Sequence, residues 1–239
     1  ALTPLSQLEH DAVIARDYQV LYEAVKTVAS PILRNMGTIG GNICLDTRCV
    51  WYNQSLQWRK SCGFCIKKDG DLCHVAPGGN KCWAAFSADT PAALLCLDAE
   101  IEIASHSGTR RMPLREFYTN IGDHRNKLKR NEIVTRVLLP RSRAGLRGSY
   151  QKLRLRGTID YPLAGVAVVS TPTGIRVAVT GVNPAPHLVA GITPDATPEQ
   201  IAQLAARTAK PLTTSLLTPE YRREIVRVFA RRGTSSVLT

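Results

Sequence analysis

Apolar positions recur at helical spacing from Tyr18 to Ala29, with Leu21, Ala24, Val25 and Val28 on one face. Pro31 is predicted to end that helix, because proline disfavours helical backbone in the residue before it. A second, short helix is predicted from Thr90 to Leu97, with Thr90 as N-cap and Pro91 at its first position. The pattern then changes to alternation. Glu100-Ile101-Glu102-Ile103 and Ile133 to Leu139 read as strands, and Gly165 to Ser170 and Ile175 to Thr180 read as a hairpin turning at Thr171-Pro172-Thr173-Gly174. Two helices are predicted to close the chain. One opens on the capping box Thr197-Pro198-Glu199-Gln200. The other opens at Thr218-Pro219, buries Tyr221, Ile225, Val228 and Phe229, and stops at Gly233.

Between the first two helices the periodicity fails. Asn35-Met36-Gly37-Thr38-Ile39-Gly40-Gly41-Asn42 is rich in glycine, and Cys44 to Cys82 follows neither a helical nor a strand period. A stretch that long without a period usually needs a ligand to order it. Arg141 to Gly148, rich in Arg, Ser and Gly, reads as a linker. The fold class is therefore α+β, divided into residues 1–144, with a cysteine-rich insertion at 43–86, and a C-terminal α+β domain at 145–239 carrying an antiparallel sheet.

Composition narrows the picture. Apolar residues make up 44% and charged residues 21% of the 239, as in ordinary globular proteins. No run approaches the length of a transmembrane helix and no signal peptide opens the chain, so a cytoplasmic location without membrane contact is expected. The net charge of +12 raises nucleic acid as a partner. The basic clusters at 125–130 and 141–156 lack interleaved aromatics, however, and a solvated face or a surface for an acidic partner subunit explains them better.

The seven cysteines change the picture more. Six lie within Cys44 to Cys82, and an odd number with no sign of secretion argues against a disulfide framework. Cys49, Cys65, Cys73 and Cys82 are spaced by 16, 8 and 9 residues, which is unlike the paired ligands of a zinc ribbon. Spacing alone leaves an iron–sulfur cluster, zinc and uncoordinated thiols open. The glycine stretch is similarly ambiguous: Thr38 to Asn42 offers backbone N–H groups without bulky side chains, suited to a phosphate or a ring edge, but also to a structural turn.

Two motifs in combination are specific. Ser30-Pro31-x-x-Arg34-Asn35-x-Gly37-Thr38-Ile39-Gly40-Gly41-Asn42 and Ser87-x-Asp89-x-Pro91-Ala92-Ala93-Leu94 resemble the FAD-binding subunits of the xanthine dehydrogenase and carbon monoxide dehydrogenase family, the molybdenum hydroxylases. The 47-position separation of Asn42 and Asp89 holds the cysteines, and Asp46-Thr47-Arg48-Cys49, Tyr52-Asn53-Gln54-Ser55 and Cys73-His74-Val75 look like the 4-hydroxybenzoyl-CoA reductase branch, in its β subunit. The likeness continues through Asn131-Glu132-Ile133-Val134, Tyr150-x-Lys152 and Asp160-Tyr161-Pro162-Leu163.

The resemblance implies FAD lined by Thr38, Ile39, Gly40, Gly41, Asn42 and Asp89, with Val134 and Lys152 near its ring system. It implies a [4Fe–4S] cluster ligated by Cys49, Cys65, Cys73 and Cys82, with no catalytic residue in this chain. It also implies partner subunits carrying a molybdenum cofactor and [2Fe–2S] clusters, a ferredoxin-like electron donor, and reductive dehydroxylation of an aromatic CoA thioester. Family members have a further lobe with another glycine-rich loop, so the flavin site read here is partial and belongs to the second lobe. Another molybdenum hydroxylase that sends electrons outward, and a zinc-stabilised nucleic-acid module, are the competing readings.

Overall fold

Five short helices follow one another in the first part of the chain, three of them opened by side-chain caps, in a computed structural model that describes residues 1–239. They are α1 (Leu5–His10), α2 (Ala12–Asp17), α3 (Gln19–Lys26), α4 (Pro31–Met36) and α5 (Ile39–Ile43). Asp11 accepts from the Val13 and Ile14 amides to start α2, and Ser30 accepts from Leu33 to start α4. Pro31 therefore opens a helix instead of closing one. The preceding helix has already ended at Lys26, and proline is well suited to a first helical position, where its missing N–H has no partner to lose.

Beyond the insertion, which contains α6 (Leu56–Ser61), α7 (Thr90–Cys96) is wholly buried. Thr90 is its first residue and not its cap; its hydroxyl and amide are both held by Asn42 Oδ1. Strands β1 (Glu100–Ser105), β2 (Gly108–Pro113) and β3 (Ile133–Leu138) form an antiparallel sheet in the order β2-β1-β3. A second antiparallel sheet runs β4 (Gly148–Leu153), β5 (Ala164–Thr171), β6 (Gly174–Thr180) and β7 (His187–Leu188). The β5–β6 hairpin turns at Gly174, whose φ of 124° is open to glycine.

Helices α8 (Pro198–Thr208) and α9 (Pro219–Leu238) complete the chain. The second sheet is covered on both faces. Tyr150, Ala167, Val169 and Ala178 join the core that holds α3 and α7, whereas Val166, Val168, Val177 and Val179 pack against Ile201 and Ala205 of α8 and Val226 and Ala230 of α9. Burial on both faces explains why β5 is a nearly continuous apolar run. The sequence boundary at 144/145 falls between the two sheets, while the core on the α3 side draws residues from both segments.

Helix α9 corrects the sequence reading in two respects. It runs through Gly233 to Leu238, and its buried stripe is Arg222, Val226, Ala230, Gly233, Thr234 and Val237. Tyr221 is exposed, and Ile225, Val228 and Phe229 are half-buried. The small residues set the face. A Cβ on Gly233 would sit 2.8 Å from Val168 Cγ2, so glycine here brings the helix close to the sheet. Arg222 is buried because its guanidinium donates to the carbonyls of Leu163 at 2.8 Å, Leu212 at 3.0 Å and Gly181 at 2.5 Å. No helix is long and apolar enough to cross a membrane.

Candidate cofactor sites

The glycine motif folds as the cap and body of α5. Thr38 is the N-cap and accepts from the Gly41 amide at 3.1 Å. The Ile39 and Gly40 amides donate to the backbone carbonyls of Thr3 and Ala1, and the Asn42 amide donates to Thr38. The N–H groups from Ile39 to Asn42 are thus engaged within the chain. What remains available is surface: Thr38, Gly41 and Asn42 line an open cleft of about 420 Å³ together with Ser87, Asp89, Leu33, Met36, Leu45, Ile159 and Tyr161. That volume lies within the about 300–1,000 Å³ usual for a small-molecule site, and the lining has the apolar walls and few convergent polar groups of one. Ile39 is buried and Gly40 packs against Ala1, so neither lines the cleft.

Asp89 anchors the inner end of the cleft. Its Oδ1 accepts from Tyr150 OH at 2.9 Å and from Thr27 Oγ1 at 3.3 Å, and its Oδ2 pairs with Lys152 Nζ at 3.0 Å. Lys152 also donates to the Thr27 carbonyl at 2.8 Å. Both side chains are nearly closed to solvent, at 4% and 2% exposure. Burial raises the Asp89 carboxyl above its ordinary value, and Lys152, Tyr150 and Thr27 pull it the other way. Burial likewise lowers the Lys152 ammonium, with Asp89 opposing. Lys152 therefore stands behind Asp89. Val134, on β3 opposite Ile103, is buried in the neighbouring core and outside the cleft lining. Sequence reasoning does not single out Thr27, Tyr150 or Tyr161 as site residues; the Tyr150-x-Lys152 alternation is the signal that places both of those side chains on one face of β4.

The insertion brings Cys49, Cys65, Cys73 and Cys82 to one small cavity, walled by Trp51, Tyr52, Ile66, Lys67, His74, Val75 and Ala84. All four thiols are buried, and none is in a disulfide. They are not gathered at single-ion spacing: no group of three or more His, Cys, Asp or Glu side chains is arranged to hold one metal ion. Cys62 is half-buried at the end of α6 and Cys44 packs beside α5, both outside the cavity, while Cys96 is fully buried in the core. Burial pushes the Cys49 thiol up and the Cys82 thiol up to about 11; amides of Trp51 and Tyr52 oppose this at Cys49, as does that of Ala84 at Cys82.

Four cysteine thiols facing one cavity are a donor set of the kind that either zinc or a multi-iron cluster takes. Tetrahedral zinc with Zn–S of about 2.3 Å draws four sulfurs to within roughly 3.8 Å of one another. A cubane places one cysteine on each of four irons and so keeps the sulfurs farther apart. N–H donors aimed at sulfur, such as Ala84 to Cys82 Sγ at 3.4 Å, stabilise thiolate charge.

The cleft and the cysteine cavity share a wall. Leu45 and Ser87 line the cleft; Cys49 and Ala84 line the cavity. The two short segments joining them are paired by a rung in which the Arg48 amide donates to Ala85 O at 2.7 Å and the Ala85 amide donates to Arg48 O at 2.8 Å. Three residues from Ala84 to Ser87 span at most about 11 Å. Arg48 also stacks under the Tyr161 ring, 3.9 Å from its centroid, so the same wall carries an aromatic group at the cleft rim.

Residues 1–142 match the family described as the FAD binding domain in molybdopterin dehydrogenase. The aldehyde oxidoreductase FAD-binding subunit of Escherichia coli is 33% identical over 179 residues, covering 71% of this chain and 56% of that protein. The nicotinate dehydrogenase FAD-subunit of Eubacterium barkeri is 29% identical over 166 residues, covering 69% and 43%. The chain spans about half the length of these curated relatives. Carbon monoxide dehydrogenase from Hydrogenophaga pseudoflava has the same fold, with a TM-score of 0.73 at 23% identity over 100% of this chain and 73% of that one.

Proposed function

This chain belongs to the family of FAD-binding domains of molybdopterin dehydrogenases, and from that premise we propose that it is the flavin and iron–sulfur electron-transfer subunit of a molybdenum-containing oxidoreductase complex. The observation that carries this reading is the shared wall, which sets a four-thiol cavity within a few residues of the cleft that holds Thr38, Gly41, Asn42 and Asp89. When bound, FAD exchanges two electrons and a [4Fe–4S] cluster exchanges one, which lets the pair link donors and acceptors of different stoichiometry. In this chain Thr38, Ser87 and Asn42 offer polar contacts, Leu33, Met36 and Ile159 offer apolar surface, and Tyr150 and Lys152 fix the orientation of Asp89. Cys49, Cys65, Cys73 and Cys82 hold the cluster, and Trp51, Tyr52, Ile66 and Val75 keep it dry. Substrate chemistry takes place at a molybdenum cofactor in a partner subunit, with a further partner carrying [2Fe–2S] clusters.

The finer reading is a 4-hydroxybenzoyl-CoA reductase-like complex, fed by a ferredoxin-like donor and removing a phenolic hydroxyl from an aromatic CoA thioester. The 16-8-9 cysteine spacing supports it. Likeness to aldehyde oxidoreductase and nicotinate dehydrogenase subunits favours a second reading, a hydroxylase whose electrons leave through the flavin. The deciding experiment is flavin, iron, sulfide and zinc analysis of the full-length protein purified without oxygen, with its absorption spectrum. One FAD and about four irons with four sulfides are expected. Stoichiometric zinc in place of iron would overturn the cluster, and iron without flavin would overturn the cleft assignment.

A further inference from the structure

The wall of the cysteine cavity includes a buried lysine that is not one of the candidate ligands. Lys67 lies two residues after Cys65 and forms part of the cavity wall, with its side chain only 4% exposed. Its Nζ donates to Thr47 Oγ1 at 2.7 Å, to Asp46 Oδ1 at 3.0 Å and to Gly122 O at 3.1 Å, and lies 5.0 Å from the Tyr52 ring centroid. The tether is built into the cage. Gly122 donates its own amide to Cys82 O at 2.9 Å, and a Cβ there would sit 2.7 Å from Cys82 Sγ.

A single half-exposed carboxylate, shared with a second cation, balances this ammonium only in part. Asp46 is its only carboxylate partner, is 52% exposed, and is shared with Arg125 at 3.4 Å. Asp123 is solvent-exposed. A cation removed from water is costly unless an anion stands near it. Asp46 supplies one such anion from its half-exposed position, and four cysteine thiolates on a cluster would supply the other from the cavity side. We propose that Lys67 is the fixed positive charge that compensates the cluster and raises its reduction potential. This rests on the cluster reading above. The sign follows from electrostatics: adding an electron makes the cluster more negative, and a nearby cation stabilises that state more than the oxidised one.

The test compares wild type, Lys67→Met and Lys67→Arg in the full-length protein purified anaerobically with the chains that co-purify. Methionine keeps the apolar stem and removes the charge; arginine keeps the charge. Iron content and the cluster midpoint potential, by redox titration followed by electron paramagnetic resonance, are read for each. Lys67→Met is expected to shift the potential to more negative values at unchanged iron content, with Lys67→Arg near wild type. Loss of iron from Lys67→Met but not from Lys67→Arg would also establish the charge requirement. A loaded Lys67→Met cluster at the wild-type potential, or equal iron loss from both variants, would overturn the proposal and leave the cluster itself standing. A wild-type protein without iron would instead overturn the functional reading on which the proposal depends.

Discussion

Replacing Lys152 with methionine should destabilise the fold by about 3 kcal/mol, and the size follows from the surroundings of Asp89. The pair is 3.0 Å apart and closed to solvent on both sides. At an effective dielectric of about 20 the Coulomb attraction at that distance is about 5.5 kcal/mol, offset by the desolvation of both groups. Removing one partner of a buried pair usually costs about 3–5 kcal/mol, since the other charge is left without compensation. The lower end applies here because Tyr150 OH and Thr27 Oγ1 still donate to Asp89. For a chain of this size that corresponds to a melting temperature lower by roughly 6–12 °C.

The pH dependence has a definite sign. Burial already raises Asp89 in the folded state, and loss of Lys152 raises it further. A raised carboxyl binds its proton more tightly folded than unfolded. The stability of the variant therefore falls as pH rises from the unfolded value of about 3.9 through the folded one, and its deficit is smallest in acid. Urea unfolding followed by far-ultraviolet circular dichroism, at acid and neutral pH, measures both. Asp89→Asn with Lys152→Met should recover part of the loss, as contacting groups in one network are not additive. A single variant within about 0.5 kcal/mol of wild type, or strictly additive losses, would refute the argument.

Cys65→Ser should lose the iron and become protease-sensitive between Cys49 and Cys82, because Cys65 faces the cavity and binding and local order are one quantity there. Cys62→Ser, outside the cavity, should retain about four irons by the same assay. Gly233→Ala should lower the melting temperature despite the better helix propensity of alanine. Its Cβ would meet Val168 at 2.8 Å, and overpacking costs about 1–3 kcal/mol against a propensity gain of about 1 kcal/mol. An unchanged or higher melting temperature would mean that α9 can retreat from the sheet.

Local pattern determined those parts of this protein whose partners lie nearby in the chain. The alternation of β1, the β5–β6 hairpin and the Thr197 capping box all involve residues that meet within a few positions, so sequence spacing reports them directly. The cysteine cavity was legible in part: six cysteines crowd one stretch of the chain, and the fold brings Cys49, Cys65, Cys73 and Cys82 to a common wall while leaving Cys44 and Cys62 outside it. The face of α9 was not legible. Ile225, Val228 and Phe229 form a plausible apolar stripe, yet Arg222 reaches carbonyls 59 and 41 positions away and Gly233 fits under Val168, and those distant contacts rotate the helix. The glycine motif likewise advertises free amides that the tertiary fold assigns to Ala1 and Thr3, while Asp89 gains Thr27, Tyr150 and Lys152 from across the chain. Which side chains a segment exposes is set by what docks against it, and docking partners separated by dozens of residues leave no period in the sequence between them.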